Sequence, residues 1–517
     1  MWVLFKLCLL VGSASAARIL GVVLTPAYSH QVVYKPLWRE LSLRGHQVTT
    51  ITSHPLKDPR LTNLTEIDLS VFTKSSSKGI KQMMEDSGMN FFQKTRRMFP
   101  IIVDMVDKQL EHPAVRELLN DKNAKFDLVI MEHLWDSVLA FAVRFNCPYI
   151  GMLSVDAPSG MLRYVGNPVH SSLYPDTFLP YGNKLSLFER VTSFVTDIGF
   201  TLYNEHVVEK MWQKVIEKHF GSDYPPIQEM AQNISMLFVN ADPIFHHNRP
   251  LVPAVVQIGG GSHRSPPKPL PKDLQLLLDS ATNGFIYFSL GSNVQSEYLP
   301  NKTIQTILDV FAELPYTVLW KYGEEIPDKP INVVISKWLP QEDVLRHPNI
   351  KLFITQGGLQ SMDEAIHSHV PMVGIPFIGD QPYNVKKMES MGFGLAIDPA
   401  EIKGDRFKQA ILEVINNPQY RNTLAKLAEL ARDQPMSGLE KAVWWTEYVI
   451  RHKGAKHLRS PLLDIPWYQY LLLDVIGTLL FIASVTLLIA VLILRSLIRF
   501  VSRKVTALSA LRTKKSQ

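Results

Sequence analysis

Between residues 338 and 381 the chain carries Trp338, Gln341, Gln356, Gly357, Gly358, Ser361, Glu364, Asp380 and Gln381, and their types suit one kind of ligand. The indole of Trp338 offers an apolar face on which a nucleobase can stack. Gly357-Gly358 follow the apolar run Leu352–Thr355 and precede Ser361-Met-Asp-Glu364-Ala-Ile-His367. That spacing predicts a strand, a tight turn and a helix from Ser361 onward. The unpaired N–H groups and dipole of such a helix attract an anion such as a diphosphate. Glu364 can accept hydrogen bonds from ribose hydroxyls, and Asp380-Gln381 can do the same for a hexose. A glycine pair before a helix is on its own only a turn; the aromatic, amide and acidic neighbours make it a candidate nucleotide-sugar site.

A second centre lies far away in the chain. His30 follows the strand-like run Ala17–Thr25, in Tyr28-Ser29-His30. An imidazole, with an ordinary pKa of about 6.5, suits taking a proton from a hydroxyl. Glu132 closes another strand-like run, Phe126–Met131, and is the carboxylate available to hold that imidazole. His46, His54, His133, His246 and His247 lack such neighbours and are expected at surface or capping positions. No Asp-x-Asp pair stands at a strand end near the donor residues, so no metal is expected to bridge a diphosphate.

The elements that must position these groups alternate along the chain. His30–Arg44 is patterned as an amphipathic helix closed by Gly45, and Gln47–Thr52 and Pro148–Leu153 read as strands. In the second half the short apolar runs are Phe285–Leu290, Thr317–Trp320, Asn332–Ile335, Leu352–Thr355, Met372–Ile375 and Gly392–Ile397, with helical stretches between them. This is the pattern of parallel sheets with helical crossovers. The Pro- and Gly-rich stretch Asn248–Pro271 reads as a linker between two α/β domains, residues 17–250 and 251–455. A ligand of each domain would then meet in a cleft outside the carboxyl ends of the strands. Met89–Met105 and Leu185–Tyr203 are rich in apolar residues and suit a membrane surface, an apolar acceptor pocket or the core. A nicotinamide-dependent oxidoreductase is excluded, because Thr25-Pro-Ala-Tyr-Ser-His30 lacks the Gly-x-Gly-x-x-Gly turn.

The two ends carry address information. Met1–Ala16 reads as a secretory signal peptide with a small-residue cleavage site. Residues 471–494 are predicted to span a membrane: Val475–Leu494 holds no charge, and about 20 helical residues cover the ~30 Å of hydrocarbon. Trp467, Tyr468 and Tyr470 precede the span as interfacial aromatics, and Asp474 marks its luminal edge. The tail, residues 495–517, contains Arg495, Arg499, Arg503, Lys504, Arg512, Lys514 and Lys515 and no acidic residue, which places it in the cytoplasm. Those cations outweigh the whole formal charge of +6, so the basic balance belongs to the tail and gives no reason to expect nucleic acid. Lys514 and Lys515 have the placing of a dilysine retrieval signal. A single-pass type I protein of the endoplasmic reticulum membrane, with luminal domains, follows as the expectation. Once Cys8 leaves with the signal peptide, Cys147 has no partner for a disulfide. Asn63, Asn233 and Asn301 head glycosylation sequons, of which two are expected to be used.

The order Trp338-Leu-Pro-Gln341, Thr355-Gln-Gly-Gly-Leu-Gln-Ser361, Glu364 and Asp380-Gln381 resembles the signature of the family 1 UDP-glycosyltransferases. Thr355–Ser361 and Ala442–His452 are similar to the arthropod branch. The resemblance implies a GT-B fold, two Rossmann-like domains facing a cleft, with a single C-terminal transmembrane helix. It assigns uracil stacking to Trp338, nucleoside contacts to Gln341 and Glu364, and phosphate contacts to Ser361 and to Ser292 in Phe288-Ser-Leu-Gly-Ser292. Gln356 and Gly358 belong to the same donor set, and Asp380 and Gln381 meet the sugar hydroxyls. His30 becomes the catalytic base and Glu132, where most members have Asp, its partner. Two further departures are Gln356 in place of the common His and Gln360 in place of the common Asn. The expected reaction is inverting transfer of a hexose to a small lipophilic acceptor such as a phenol. UDP-glucose is the first choice of donor and UDP-glucuronate the second. The UDP-sugar is a co-substrate and no cofactor is expected; the alternative class is a non-catalytic, membrane-anchored nucleotide-sugar binding protein. A homo-oligomer is compatible with this reading, and the acceptor is left open.

Overall fold

The computed structural model describes residues 16–73, 91–182, 184–246 and 248–514. The stretch read as a signal peptide, apart from Ala16, the start of the Met89–Met105 segment, His247 and Lys515 lie outside the described residues. Two compact units divide the chain after Ser460.

The larger unit is built on two sheets. The first contains β1 (Arg18–Val22), β2 (Gln47–Thr52), β3 (Leu64–Asp68), β4 (Leu128–Glu132), β5 (Tyr149–Leu153), β6 (Met236–Val239) and β7 (Val255–Gln257), in the order β3-β2-β1-β4-β5-β6-β7. The second contains β8 (Phe285–Ser289), β9 (Thr317–Lys321), β10 (Val333–Ser336), β11 (Ile350–Thr355), β12 (Met372–Gly374) and β13 (Gly394–Ala396), in the order β10-β9-β8-β11-β12-β13. Every neighbouring pair runs parallel.

Helices cover both faces, which is why the strands read as continuous apolar runs. Leu20, Val22, Val129 and Met131 enter one core, while Ile19, Leu128 and Ile130 enter the core on the opposite face. Ile286 and Phe288 are likewise separated from Phe285 and Tyr287. Successive side chains of a strand point to opposite faces, so each sheet divides its apolar residues between two layers.

In each sheet the strand order reverses at one point, between β1 and β4 in the first and between β8 and β11 in the second. The crevice outside the carboxyl ends at such a point is where open α/β sheets bind ligands. His30 and Glu132 belong to the first point. Ser292 and Gln356-Gly357-Gly358 belong to the second.

The sequence boundary at residue 250 falls before β7, which joins the first sheet through Leu237↔Val255. The helix Gly438–His452 also returns to the first half, burying Ala442, Val443 and Val449 in the core that holds Val33, Leu37 and Leu41. Of the two apolar segments, the helix Phe91–Leu110 buries Phe99, Val106 and Leu110, whereas the helix Leu187–Tyr203 leaves Leu187, Phe188, Val191, Phe194, Val195 and Ile198 exposed.

In the second unit Leu473–Lys514 forms one helix, of which Leu473–Ala510 is long and apolar enough to cross a membrane, an 18-residue window within it having a mean hydropathy of 2.7. The helix runs on past Arg495 without a break in the backbone, and only the composition changes there.

Candidate active site

The helix Tyr28–Leu43 forms because Val33, Tyr34, Leu37, Trp38 and Leu41 recur at helical spacing and are buried. Its first turn lifts His30 to the edge of the first sheet. Nδ1 of His30 stands 2.8 Å from Oε1 of Glu132 and 2.8 Å from Oγ of Ser154, the residue that follows β5. Glu132 is fully buried, and its Oε2 accepts the Thr25 N–H at 2.9 Å. Glu132 therefore reaches His30 directly, and the loop after β1 fixes its second oxygen. A proton on Nδ1 donated to Glu132 leaves the Nε2 lone pair as the basic position.

The second half presents the other residues at strand ends. Gly358 caps the helix Leu359–His367, which starts two residues before the expected Ser361. The side chain of Gln356 lies between two turns: a Cβ on Gly291 would come 2.2 Å from its Nε2, and one on Gly358 would come 2.8 Å from it. Gly291 also has φ of +84°, so glycine suits that turn on both counts. The Gln356 amide thus packs against the turn that leads to Ser292 and against the start of the helix Leu359–His367, whose first N–H groups can receive an anion.

Gln341 opens the helix Gln341–Leu345 and donates from Nε2 to Oε2 of Glu364 at 2.8 Å and to Oγ of Ser361 at 2.9 Å. Its Oε1 accepts the Tyr287 hydroxyl at 3.1 Å. Trp338 is 58% exposed. Lys321, at the end of β9, lies 4.6 Å above its ring and donates to the Gly291 carbonyl at 3.0 Å. Burial holds the Lys321 ammonium below its ordinary pKa, against the pull of Glu297.

Asp380 receives Nδ2 of Asn384 at 2.9 Å. Burial raises its pKa, opposed by that hydrogen bond and by His30. Oε1 of Gln381 is already engaged by the Phe377 and Ile378 N–H groups at 2.9 and 3.1 Å, which leaves its amide NH2 as the group able to meet a sugar.

The two sets of residues meet. Nε2 of Gln360 donates to the Ser154 carbonyl oxygen at 2.6 Å, and Tyr28 packs edge-on against Trp338 with centroids 5.5 Å apart. His30 and Glu132 therefore lie beside the second-half residues Gln360 and Trp338, with Ser154 at the junction.

A sequence profile described as "UDP-glucoronosyl and UDP-glucosyl transferase" matches residues 19–508. The chain belongs to the UDP-glycosyltransferase family. It is 37% identical to UDP-glucosyltransferase 2 of Dactylopius coccus over 91% of each chain. It is 30% identical to human UDP-glucuronosyltransferase 2B7 over 92% of each. Among solved structures, the glycotransferase of kitacinnamycin superimposes with a TM-score of 0.55 at 19% identity, covering 84% of this chain and 98% of that one. The calicheamicin glycosyltransferase CalG4 does so at 0.53 and 17%, covering 85% and 99%. The fold is GT-B, and the protein is a glycosyltransferase.

Within this UDP-glycosyltransferase several cleft residues escaped the sequence reading. Ser154 and Lys321 both stand at the ends of strands that the sequence does predict, and Asn384 follows Asp380 by one helical turn; these positions were available as signals. His263 carries none, since it sits in the joining stretch. The expected surface histidines behave differently from the reading: His46, His133 and His246 are buried. Backbone partners hold two of them inside: Nδ1 of His46 accepts the Ala17 N–H at 3.2 Å and Nδ1 of His246 the Asp242 N–H at 3.0 Å, while burial holds His133 down at about 4.

Proposed function

We propose that the protein transfers a hexose from UDP-glucose to the hydroxyl of a small lipophilic acceptor, with inversion at the anomeric carbon. Nε2 of His30 takes the acceptor's proton, and Glu132 holds the resulting imidazolium. The acceptor oxygen forms its bond to the anomeric carbon as the bond from that carbon to the UDP oxygen breaks, and UDP leaves with the electron pair. Gln356, Ser292, Ser361 and the helix start at Leu359 receive the negative charge that develops on the diphosphate. Trp338 stacks on uracil, Glu364 and Gln341 hold the ribose, and Asp380 and Gln381 align the sugar.

The observation that carries this reading is the approach of His30 to the donor helix through Ser154 and Gln360. UDP-glucose is preferred because the coccid relative named a glucosyltransferase is more similar than the human glucuronosyltransferase. UDP-glucuronate is the second reading on the strength of that human relative. UDP release from each donor, measured with a panel of phenols, tests the proposal. A His30→Ala protein that kept full turnover would overturn the mechanism.

In this reading the half built on the first sheet, β7 included, binds the acceptor and the half built on the second sheet binds the UDP-sugar. The helix from Leu473 anchors the protein in the endoplasmic reticulum membrane with both halves in the lumen. Among the sequons, Nδ2 of Asn63 is committed to the carbonyls of Ser42 and His46 at 2.8 and 2.7 Å, while Asn233 and Asn301 are exposed. Asn233 and Asn301 are accordingly the glycan acceptors we propose. Protease protection and glycosidase mass shifts on intact microsomes test the topology.

A further inference from the structure

Ser262, His263 and Arg264 lie in the stretch between β7 and the helix Lys272–Ser280. Ser262 Oγ, both ring nitrogens of His263 and Arg264 Nε are buried without a hydrogen-bond partner among the described residues. Buried polar atoms in native folds are nearly always paired, so their concentration on three consecutive residues calls for a cause. His263 is the most enclosed, its side chain 2% exposed, and its Nε2 stands 3.5 Å from Oε1 of Glu364. That is longer than a good hydrogen bond, and a shift of roughly 0.6 Å would close it.

The opposite oxygen of Glu364 is already held by Gln341. The carboxylate is therefore clamped on one side and faced by an imidazole on the other. The stretch itself is fastened beside the site, because the Ser265 N–H donates to the Glu342 carboxylate at 3.1 and 3.0 Å. Burial draws His263 toward its neutral form, but Glu364, Asp363 and Glu342 outweigh burial and keep its pKa above the ordinary value.

We propose that His263 is a positioning residue for the donor nucleoside: its Nε2–H holds Oε1 of Glu364 in the orientation that receives the ribose hydroxyls. This ties the stretch joining the two halves to nucleotide binding, and it rests on the reading of Glu364 as the ribose acceptor. His263 does not touch the reacting atoms, so its removal should weaken binding and spare the chemical step.

The test uses the full-length protein and titrates UDP and 2′,3′-dideoxy-UDP. His263→Ala, and His263→Asn, which is too short to reach Glu364, are expected to weaken UDP about tenfold or more, the scale of one hydrogen bond to a charged group. KM for the UDP-sugar should rise in step while kcat stays within about threefold. His263→Gln, which restores an N–H at similar reach, should recover most of the loss. Dideoxy-UDP, lacking the hydroxyls, should bind wild type and variants alike. An equal loss for both nucleotides, or undiminished UDP binding in either folded variant, would overturn the proposal. Failure of the underlying donor-site reading looks different: Glu364→Ala and Trp338→Ala would then leave UDP affinity unchanged.

Discussion

Nε2 of Gln360 donates to the Ser154 carbonyl oxygen at 2.6 Å, and Oγ of the same Ser154 stands 2.8 Å from Nδ1 of His30. One serine thus links the start of the helix proposed to hold the diphosphate to the imidazole proposed as the base. The carbonyl also receives Nδ2 of Asn240 at 3.0 Å, so Ser154 is fixed from its own sheet as well. Removing the Gln360 side chain should loosen the register of the two halves more than it destabilises either. Gln360→Ala is expected to lower stability by about 1 kcal/mol, the usual net worth of one hydrogen bond. It should lower kcat/KM by a larger factor than that loss implies, because misplacing the reacting groups slows the transfer itself. Thermal melts and steady-state kinetics on one preparation check both statements.

The His30–Glu132 pair gives the sharpest kinetic expectation. His30→Ala should lower kcat by about 10²–10⁴, the usual contribution of a positioned general base, and leave UDP affinity unchanged. Glu132→Gln tests the partner separately. The native carboxylate accepts from two donors, the His30 imidazole and the Thr25 N–H. A glutamine has a single acceptor oxygen, so one of those bonds is lost or the ring takes the tautomer with its proton on Nε2. If the amide NH2 faces His30, the ring carries its proton on Nε2 and the base is lost. If the amide oxygen faces it, Nε2 stays basic but the imidazolium loses its counter-charge. The value of kcat should fall in both cases, by about 10² or more in the first. Single-turnover rates with titrated UDP distinguish this from a loss of binding.

These two predictions also mark what was legible in the sequence. The strand-forming runs beside the cleft are continuous apolar segments, and their ends locate His30, Glu132, Gln356 and Asp380 without any coordinates. Three strands were missed. β3 is only partly buried, so Leu64–Asp68 lacks an apolar run, and β6 and β7 are short. Their absence also displaced the boundary, since β7 returns the chain to the first sheet after residue 250. Contacts between distant segments were beyond reach for a physical reason. That Gln360 meets Ser154, or that His263 faces Glu364, depends on how the two halves close, and no local periodicity encodes that.

Asp136 lies away from the cleft and should govern stability against pH. It is buried at 5% exposure, and burial together with the nearby Glu209 carboxylate pushes its pKa up to about 7 from its ordinary 3.8. The folded state thus holds a proton that the unfolded state has released between those two values, and stability falls as pH rises through that window. Asp136→Asn removes the titration while keeping an acceptor for Tyr164. It should raise stability at pH ~8 by about 1–4 kcal/mol, with the gain shrinking to near zero at pH ~3, below both pKa values, where both states are protonated. Urea titrations at the two pH values give the comparison, and a gain independent of pH would contradict it.

The Gln356 amide occupies the space between Gly291 and Gly358, so both glycines bear on the donor site proposed above. A methyl group on Gly291 would stand 2.2 Å from Nε2 of Gln356, and the φ of +84° adds strain of its own. Gly291→Ala should therefore drive the amide out of the diphosphate space and raise KM for the UDP-sugar about tenfold or more. Gln356→His tests the complementary point. The imidazole keeps a donor where the amide was and adds a positive charge when protonated, which glutamine never carries. UDP affinity in Gln356→His should consequently rise as pH is lowered through the ordinary histidine range, while wild type lacks this contribution. Titrations of uridine, which has no phosphate to receive the charge, should lack it too. Equal pH dependence for UDP and uridine in the variant would mean that Gln356 does not face the diphosphate.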